Sequence, residues 1–444
     1  MQPQYSASSN ILETRRKSTE VVLPWLICGL AACFYCYEYL LRISPSIMVP
    51  ELRAAFNISA AALGNLSAFY FYAYTPMQLP VGVMLDKYGP RNVLTFAVLI
   101  CALGAALFGF STHYWGALAG RFMIGFGSAF AFVGVLKLAS SWLPPDRFGF
   151  IAGLTTTLGM IGAMFGQNVL SVMVHQSGWQ QTLIYSSIFG FLLVPIIWWV
   201  IRDQPKTVRN LESLYPSEVT HAKASYSQLY KEMKNVLTNS QIWINGVVAG
   251  LIMLPTTIFA ELWGSSFLEQ RYNFDAVLAA KAISMIFLGW AIGAPLVGMI
   301  SDNLKRRKSP LVVGAALTLV ILLAVLYLPG IPTWLLFVLL CLFGIVSSVE
   351  VICFAIGREN SSRTVAGTAV AFTNFIVVLA GFMQPIVGII LDKTWRGTFV
   401  DGIRVDTVES YQLALSVLPV ALVLSLILVI FLKETYCEDV NNGA

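Results

Sequence analysis

Apolar runs of about twenty residues recur twelve times along this chain, and no other feature restricts its fold so severely. Each run is long enough to cross ~30 Å of hydrocarbon as a helix. They fall near 22–46, 60–84, 93–111, 116–140, 149–174, 180–201, 241–268, 279–300, 310–328, 333–356, 365–391 and 411–432. Turn-forming residues separate them, among them Gly89-Pro90, Pro144-Pro145, Ser177-Gly178 and Pro329-Gly330. Backbone polar groups in lipid must be satisfied within the protein, so runs of this length fold as helices. Only 11% of the 444 residues are charged, where a soluble domain carries about 25%. An all-α membrane protein of twelve transmembrane helices follows, with no room for a large soluble domain.

Lysine and arginine placement sets the orientation. With the N-terminus inside, the inner segments hold 19 of these residues and the outer ones 6, so both termini are expected in the cytoplasm. Arg15, Arg16 and Lys17 stand just ahead of the first run, and no cleavable signal pattern precedes them. The longest hydrophilic stretch, 202–239, divides the chain into halves, 1–201 and 240–444, of six runs each. Within it Tyr226, Leu229, Tyr230, Met233 and Leu237 recur at helical spacing, as in a helix lying on the membrane surface or a half-ordered linker. The halves also repeat. GVMLDKYGPR from Gly82 returns as GMISDNLKRR from Gly298, an offset of 216 that Asp86 and Asp302 share, as do Arg147 and Arg363. Duplicated halves of this kind point to a carrier that alternates access around a site between them.

The first copy, Gly82, Asp86, Lys87, Gly89 and Arg91, resembles the loop signature of the major facilitator superfamily. Gly298, Asp302, Lys305, Arg306 and Arg307 are similar to that family's second copy, with Lys305 where a glycine would stand. Arg121, Gly125 and Gly127 in run four resemble a further motif, and the WLPPDR turn at Trp142–Arg147 looks family-like. The resemblance spans essentially the whole chain. It implies two pseudo-symmetric six-helix halves and secondary transport, with a cluster around Asp86 that locks the outward-facing state from the cytoplasmic side. Elementary electrostatics agrees: Asp86 can face the positive start of a neighbouring helix, and Arg91 can hold a carboxylate or a helix's last carbonyls. Gly82 would let helices approach and Gly89 would permit a tight turn. Lys87 and Arg91 also suffice as plain topology determinants. Run five has Gly153, Gly159, Gly162 and Gly166 but lacks the Gly-Pro motif of the family's drug–proton antiporters, which favours symport.

Apart from Lys281 at the outer start of the eighth run, six charged residues lie inside the runs: Glu38 and Arg42 in the first, Arg121 and Lys137 in the fourth, Glu261 in the seventh and Glu350 in the tenth. The resemblance implies that these four helices line the central cavity. Charges within spans generally face water or one another. Glu38 and Arg42 share a face at i,i+4, with Tyr35 one turn earlier. A nearby arginine and burial act oppositely on a carboxyl group, so an arriving substrate would tip the protonation of Glu38 and couple a proton to transport. A permanent structural pair is the competing account. Arg121 suits an anionic ligand or a structural role within its motif. Lys137 is a ligand or snorkels to the surface. Glu261 lies at a depth to meet Arg42 across the two halves as an outer gate, and Glu350 at a depth to meet Lys137. Gln167, Asn168, Asn374 and Gln384 would bond substrate or neighbouring helices.

His113, His175 and His221 are in or near loops, so a proton relay must use a carboxylate. Cys33 and Cys36 form a CxxC with no second ligand pair, so no metal or redox site is expected. No nucleophile elbow, paired histidines or nucleotide-binding loop appears; the chain is not expected to be an enzyme or to need a cofactor beyond an ion gradient, taken as H⁺. The expected function is proton-coupled symport of a small polar or anionic organic solute. A dipeptide or amino-acid carrier and a uniporter are the alternatives within the fold, and a non-transporting membrane sensor or scaffold is the alternative class. Expected surroundings are the solute and membrane lipid, no nucleic acid, and a monomer in a bacterial inner membrane.

Overall fold

The computed structural model describes residues 4–78, 80–143, 148–204, 237–361, 366–397, 399–400 and 403–438. Most of the 202–239 linker, with its expected surface helix, lies outside the described residues, as do Arg147 and Arg363. Among the described residues, ten helical stretches are long and apolar enough to cross a membrane. Spans one, three and four are Leu23–Ile47, Pro90–Phe110 and Tyr114–Trp142. The stretch Gly153–Val200 turns at Gly178, which has φ 80° and ψ 162°, and so holds spans five and six. Spans seven to twelve are Ser240–Tyr272, Ala276–Leu304, Lys308–Tyr327, Thr333–Glu359, Thr368–Thr394 and Val408–Phe431. The 18-residue helix Ala60–Met77 takes the place of run two, so the architecture is consistent with twelve spans. The described strands are the two-residue pair β1 (Phe399–Val400) and β2 (Ile403–Arg404), an antiparallel hairpin between spans eleven and twelve.

Within the first half, span three packs on spans four and six; within the second, span eight packs on span ten. The halves meet where span two packs on span eleven and span five on span eight. Small residues make that approach possible. A Cβ on Gly64 would stand 2.7 Å from the Gln384 carbonyl and 2.8 Å from the Pro385 Cα. Gly64→Val should therefore push spans two and eleven apart, costing about 1–3 kcal/mol, seen as a lower thermal unfolding temperature in detergent; an unchanged temperature defeats this packing account.

Five spans lose regular α-geometry well inside the bundle. Span one ends in a 3₁₀ turn (Ser44–Ile47), and spans ten and eleven contain others, Ser348–Val351 and Leu379–Met383. Spans five and seven carry π-helical turns, Gly166–Leu170 and Thr256–Trp263. Broken helix at membrane depth is tolerated where protein buries it, and π-turns gather at functional sites. Glu261 lies in one such turn and Glu350 in another.

Candidate functional site

Span one brings Arg42 to the boundary between the halves, where Glu261 of span seven meets it. Nε and Nη2 of Arg42 donate to Glu261 Oε2 at 3.2 and 3.1 Å, and Nη2 stands 2.9 Å from Oε1. The pair is buried, 8% and 2% exposed. The guanidinium also lies over the rings of Tyr39, Phe71 and Tyr70, at 5.1, 5.1 and 5.8 Å. The Arg42–Glu261 pairing expected from depth is thus present. Glu38 does not share it: the Tyr70 hydroxyl donates to Glu38 Oε1, while Oε2 is buried without a partner. Tyr35 packs edge-on against Tyr39, with ring centroids 5.1 Å apart, completing an aromatic wall.

Arg121, 1% exposed, donates to three backbone carbonyls: Leu41 at 2.9 Å, Arg42 at 3.2 Å and Ser67 at 3.3 Å. The sequence explains why the first of these lacks a helical donor. In a continuous helix Leu41 would accept from the N–H of residue 45, but Pro45 has none. Arg121 and the Ser44 hydroxyl, the latter at 2.9 Å, donate to the Leu41 carbonyl instead, and Arg121 holds the backbone that carries Arg42. Gln167 ties the same region to the other half, donating to Ser46 Oγ at 2.8 Å and to the Ala260 carbonyl at 3.3 Å. Gln384 donates to the Thr257 carbonyl at 3.0 Å, and Asn374 to Gln78 Oε1 at 3.2 Å. Asn168 donates within its own helix, to the Met164 carbonyl at 2.9 Å.

The expected Lys137–Glu350 pair does not form. Lys137 Nζ lies 2.6 Å from Asp86 Oδ1 at the partly exposed inner rim, while Glu350 is buried at 3% exposure in the second half. Similar depth in two halves is not proximity. The loop motif is otherwise self-contained. Gly89 adopts the expected turn with φ 79°. Arg91 lies over the Trp198 ring at 4.0 Å and donates from Nε to the Trp198 carbonyl at 2.8 Å. Lys87 lies over the ring of its neighbour Tyr88. Gly82 has no heavy atom within 4 Å of where a Cβ would stand, so the close approach expected there is absent. The side-chain partners described for this motif all belong to the first half.

In the second copy Lys305 takes a left-handed conformation, φ 49°, where the family pattern has glycine. Arg306, expected at the gate, is exposed, whereas its neighbour Arg307 is buried. Its guanidinium meets Glu359 at 2.6 Å and Asp302 at 2.7 Å, and these anions hold it firmly protonated. Two further acids escaped the sequence reading. Asp203, just after span six, accepts from the Arg91 backbone N–H at 2.8 Å; Glu434, just after span twelve, accepts from those of Arg307 and Lys308 at 2.7 and 3.0 Å. Each caps the exposed amides that begin a helix. The signal was an acid two or three residues beyond the last span of each half.

The opposite rim, the outer one on the orientation expected from the sequence, carries a clasp in which Arg53 joins the second half. Arg53, in the helix Val49–Phe56, meets Asp406 at 2.6 Å, both buried. Arg404, presented by β2, meets Asp392 at 2.7 Å and Asp406 at 3.3 Å. Asp392 in turn accepts from the Ala60 and Ala61 amides at 3.0 and 2.9 Å, capping span two from span eleven. The structure is therefore shut on this side.

A family model described as the Major Facilitator Superfamily matches residues 29–385. The probable sulfoacetate transporter SauU of Cupriavidus necator is 23% identical over 296 residues, 64% of this chain and 66% of that protein. The probable galactarate/D-glucarate transporter GudP of Escherichia coli is 22% identical over 388 residues, 81% and 85% of the two chains. The membrane sensor protein UhpC of Salmonella typhimurium is 24% identical over 387 residues, 82% and 85%. Among solved structures, an inward-facing, unoccupied bacterial homologue of the human lysosomal transporter Spinster superposes with TM-score 0.76 at 15% identity, covering 95% of this chain and 99% of that one. A D-xylose–proton symporter superposes at 0.69 and 15% identity, covering 93% and 98%. At these identities the structures establish a shared fold. With the matched model covering most of its length, the chain belongs to the Major Facilitator Superfamily.

Proposed function

We propose that this protein carries a small organic anion across a bacterial inner membrane by alternating access, as a symport driven by the proton gradient. The observation that carries the reading is Arg42: a buried guanidinium at the meeting of the halves, its charge matched across the boundary by Glu261. A substrate carboxylate, sulfonate or phosphate offers the same acceptor geometry. By displacing Glu261 it would untie the halves as it binds. The relatives named for sulfoacetate and for galactarate or D-glucarate are named for anions, which supports this class. The sensor UhpC keeps the non-transporting reading as a second outcome.

The test is exchange and pH-gradient-driven uptake in proteoliposomes, with labelled D-glucarate, sulfoacetate and glucose 6-phosphate, and a dipeptide as the zwitterionic control. Saturable uptake of at least one anion is expected. A charged hydrogen bond contributes about 1.5–3 kcal/mol, so Arg42→Ala should weaken apparent affinity by about 10- to 100-fold. Flux of none of the anions defeats the proposal, and dipeptide flux alone would move it to the zwitterion carriers.

A further inference from the structure

Away from the two rims, five acidic or basic side chains are buried inside the described spans, tyrosines and cysteines aside: Glu38, Arg42, Arg121, Glu261 and Glu350. Two guanidiniums balance two of the three carboxyls. Glu261 is bonded to Arg42, and Glu38 receives the Tyr70 hydroxyl close to both arginines, each of which lies over the Tyr70 ring. Glu350 is the surplus acid. Its Oε1 is fully buried with no hydrogen-bond partner, and among the described residues no cation pairs with it.

Its neighbours offer no counter-charge either. The 3₁₀ turn Ser348–Val351 packs against the first part of span seven and against spans eight and nine. Ser240–Pro255 of span seven contains no charged residue. Span eight carries Lys281 and Asp302, and span nine Lys308, all near helix ends. Tyr327 is the last residue of span nine. On span ten itself Cys341 lies more than two turns before Glu350, while Arg358 and Glu359 close its final turn, Glu359 already bound to Arg307. Cys353, three residues on, is the nearest thiol, and it too is buried. A carboxylate with neither donor nor counter-charge is the costly form in such a place, whereas the neutral acid needs only an acceptor.

We propose that Glu350, rather than Glu38, is the carboxyl that binds the co-transported proton. The proposal rests on proton-driven anion transport as set out above. A proton from water on one side forms the O–H bond at Glu350; the bond breaks to water on the other side, and no redox partner is involved. The closed state described here holds the protonated form.

The experiment compares Glu350→Gln and Glu38→Gln with the wild type in two ways. Infrared spectroscopy of the purified protein at neutral pH reads the carbonyl stretch of a protonated carboxylic acid, without any substrate. The wild type should show this band; Glu350→Gln should lose it and Glu38→Gln should keep it. In proteoliposomes, Glu350→Gln should keep exchange of the transported anion and lose its pH-gradient-driven accumulation, to below about a tenth of wild type. A band that is absent from the wild type or unchanged in Glu350→Gln overturns the proposal, as does intact accumulation by that variant. Glutamine mimics the neutral acid, so a marked fall in the melting temperature of Glu350→Gln also overturns it, since the site would then need an anion. If the wild type exchanges no tested anion, the transport reading fails, and the infrared band alone decides whether Glu350 binds a proton.

Discussion

Glu261→Gln should cost the folded protein about 3–5 kcal/mol, because it leaves Arg42 buried and charged without its counter-ion. The substitution keeps the shape of the side chain and removes only its charge. Arg42→Met should cost a similar amount by stranding Glu261. The double variant Arg42→Met/Glu261→Gln should recover most of the loss, since removing both members of a buried pair is often near neutral. It should not recover transport, because the anion-binding group is gone. Thermal unfolding of the four proteins in detergent provides the cycle. Additive losses would show that the contact at 2.9 Å contributes no coupling, and would remove the argument for Arg42 as an exchangeable site.

The second large effect is expected at the outer clasp. Asp406→Asn leaves Arg53 without its buried partner and takes one of two carboxylates from Arg404. The loss at Arg53 applies to the outer-closed state alone, because that pair joins opposite halves, whereas Arg404 and Asp406 both belong to the second half. A penalty of about 3–5 kcal/mol would move the open–closed equilibrium by roughly two to four powers of ten, at about 1.4 kcal/mol for each. Spin labels at the exposed positions Ala55 and Arg396, in a background lacking the seven native cysteines, would report it as a longer separation. Arg404→Ala, at a site 17% exposed, should have a smaller effect, because partly solvated ion pairs contribute little. An unaltered distance distribution in Asp406→Asn would falsify the clasp.

The fold was legible because lipid leaves few choices: apolar length, turn residues and the 216-residue repeat each specify helices and two halves. Arg42 and Glu261 could be matched because charges are scarce in the spans, and those two lie at the same level. The same reasoning failed for Lys137 and Glu350, since depth says nothing of rotation about a helix axis. Arg121's work was hidden for another reason: it compensates a donor that Pro45 lacks, and that need exists only once span two and span four are packed around span one. Arg307 could have been read from the repeat itself, since it stands 216 residues after Arg91 as Lys305 does after Gly89, and both Gly89 and Lys305 take positive φ. The clasp residues Arg53, Asp392, Arg404 and Asp406 lie beside or within loops. There charges are common and no periodicity marks the ones that meet.

Asp203 and Glu434 have a mechanical consequence. Each fastens the chain leaving the last helix of its half to the start of the third, so each half is a closed hoop at its inner rim. A closed hoop resists splaying. Work done at the boundary, by an anion at Arg42 or a broken clasp, is then not dissipated in loosening either half. It goes into turning one rigid piece against the other, like two cupped hands rocking on their palms.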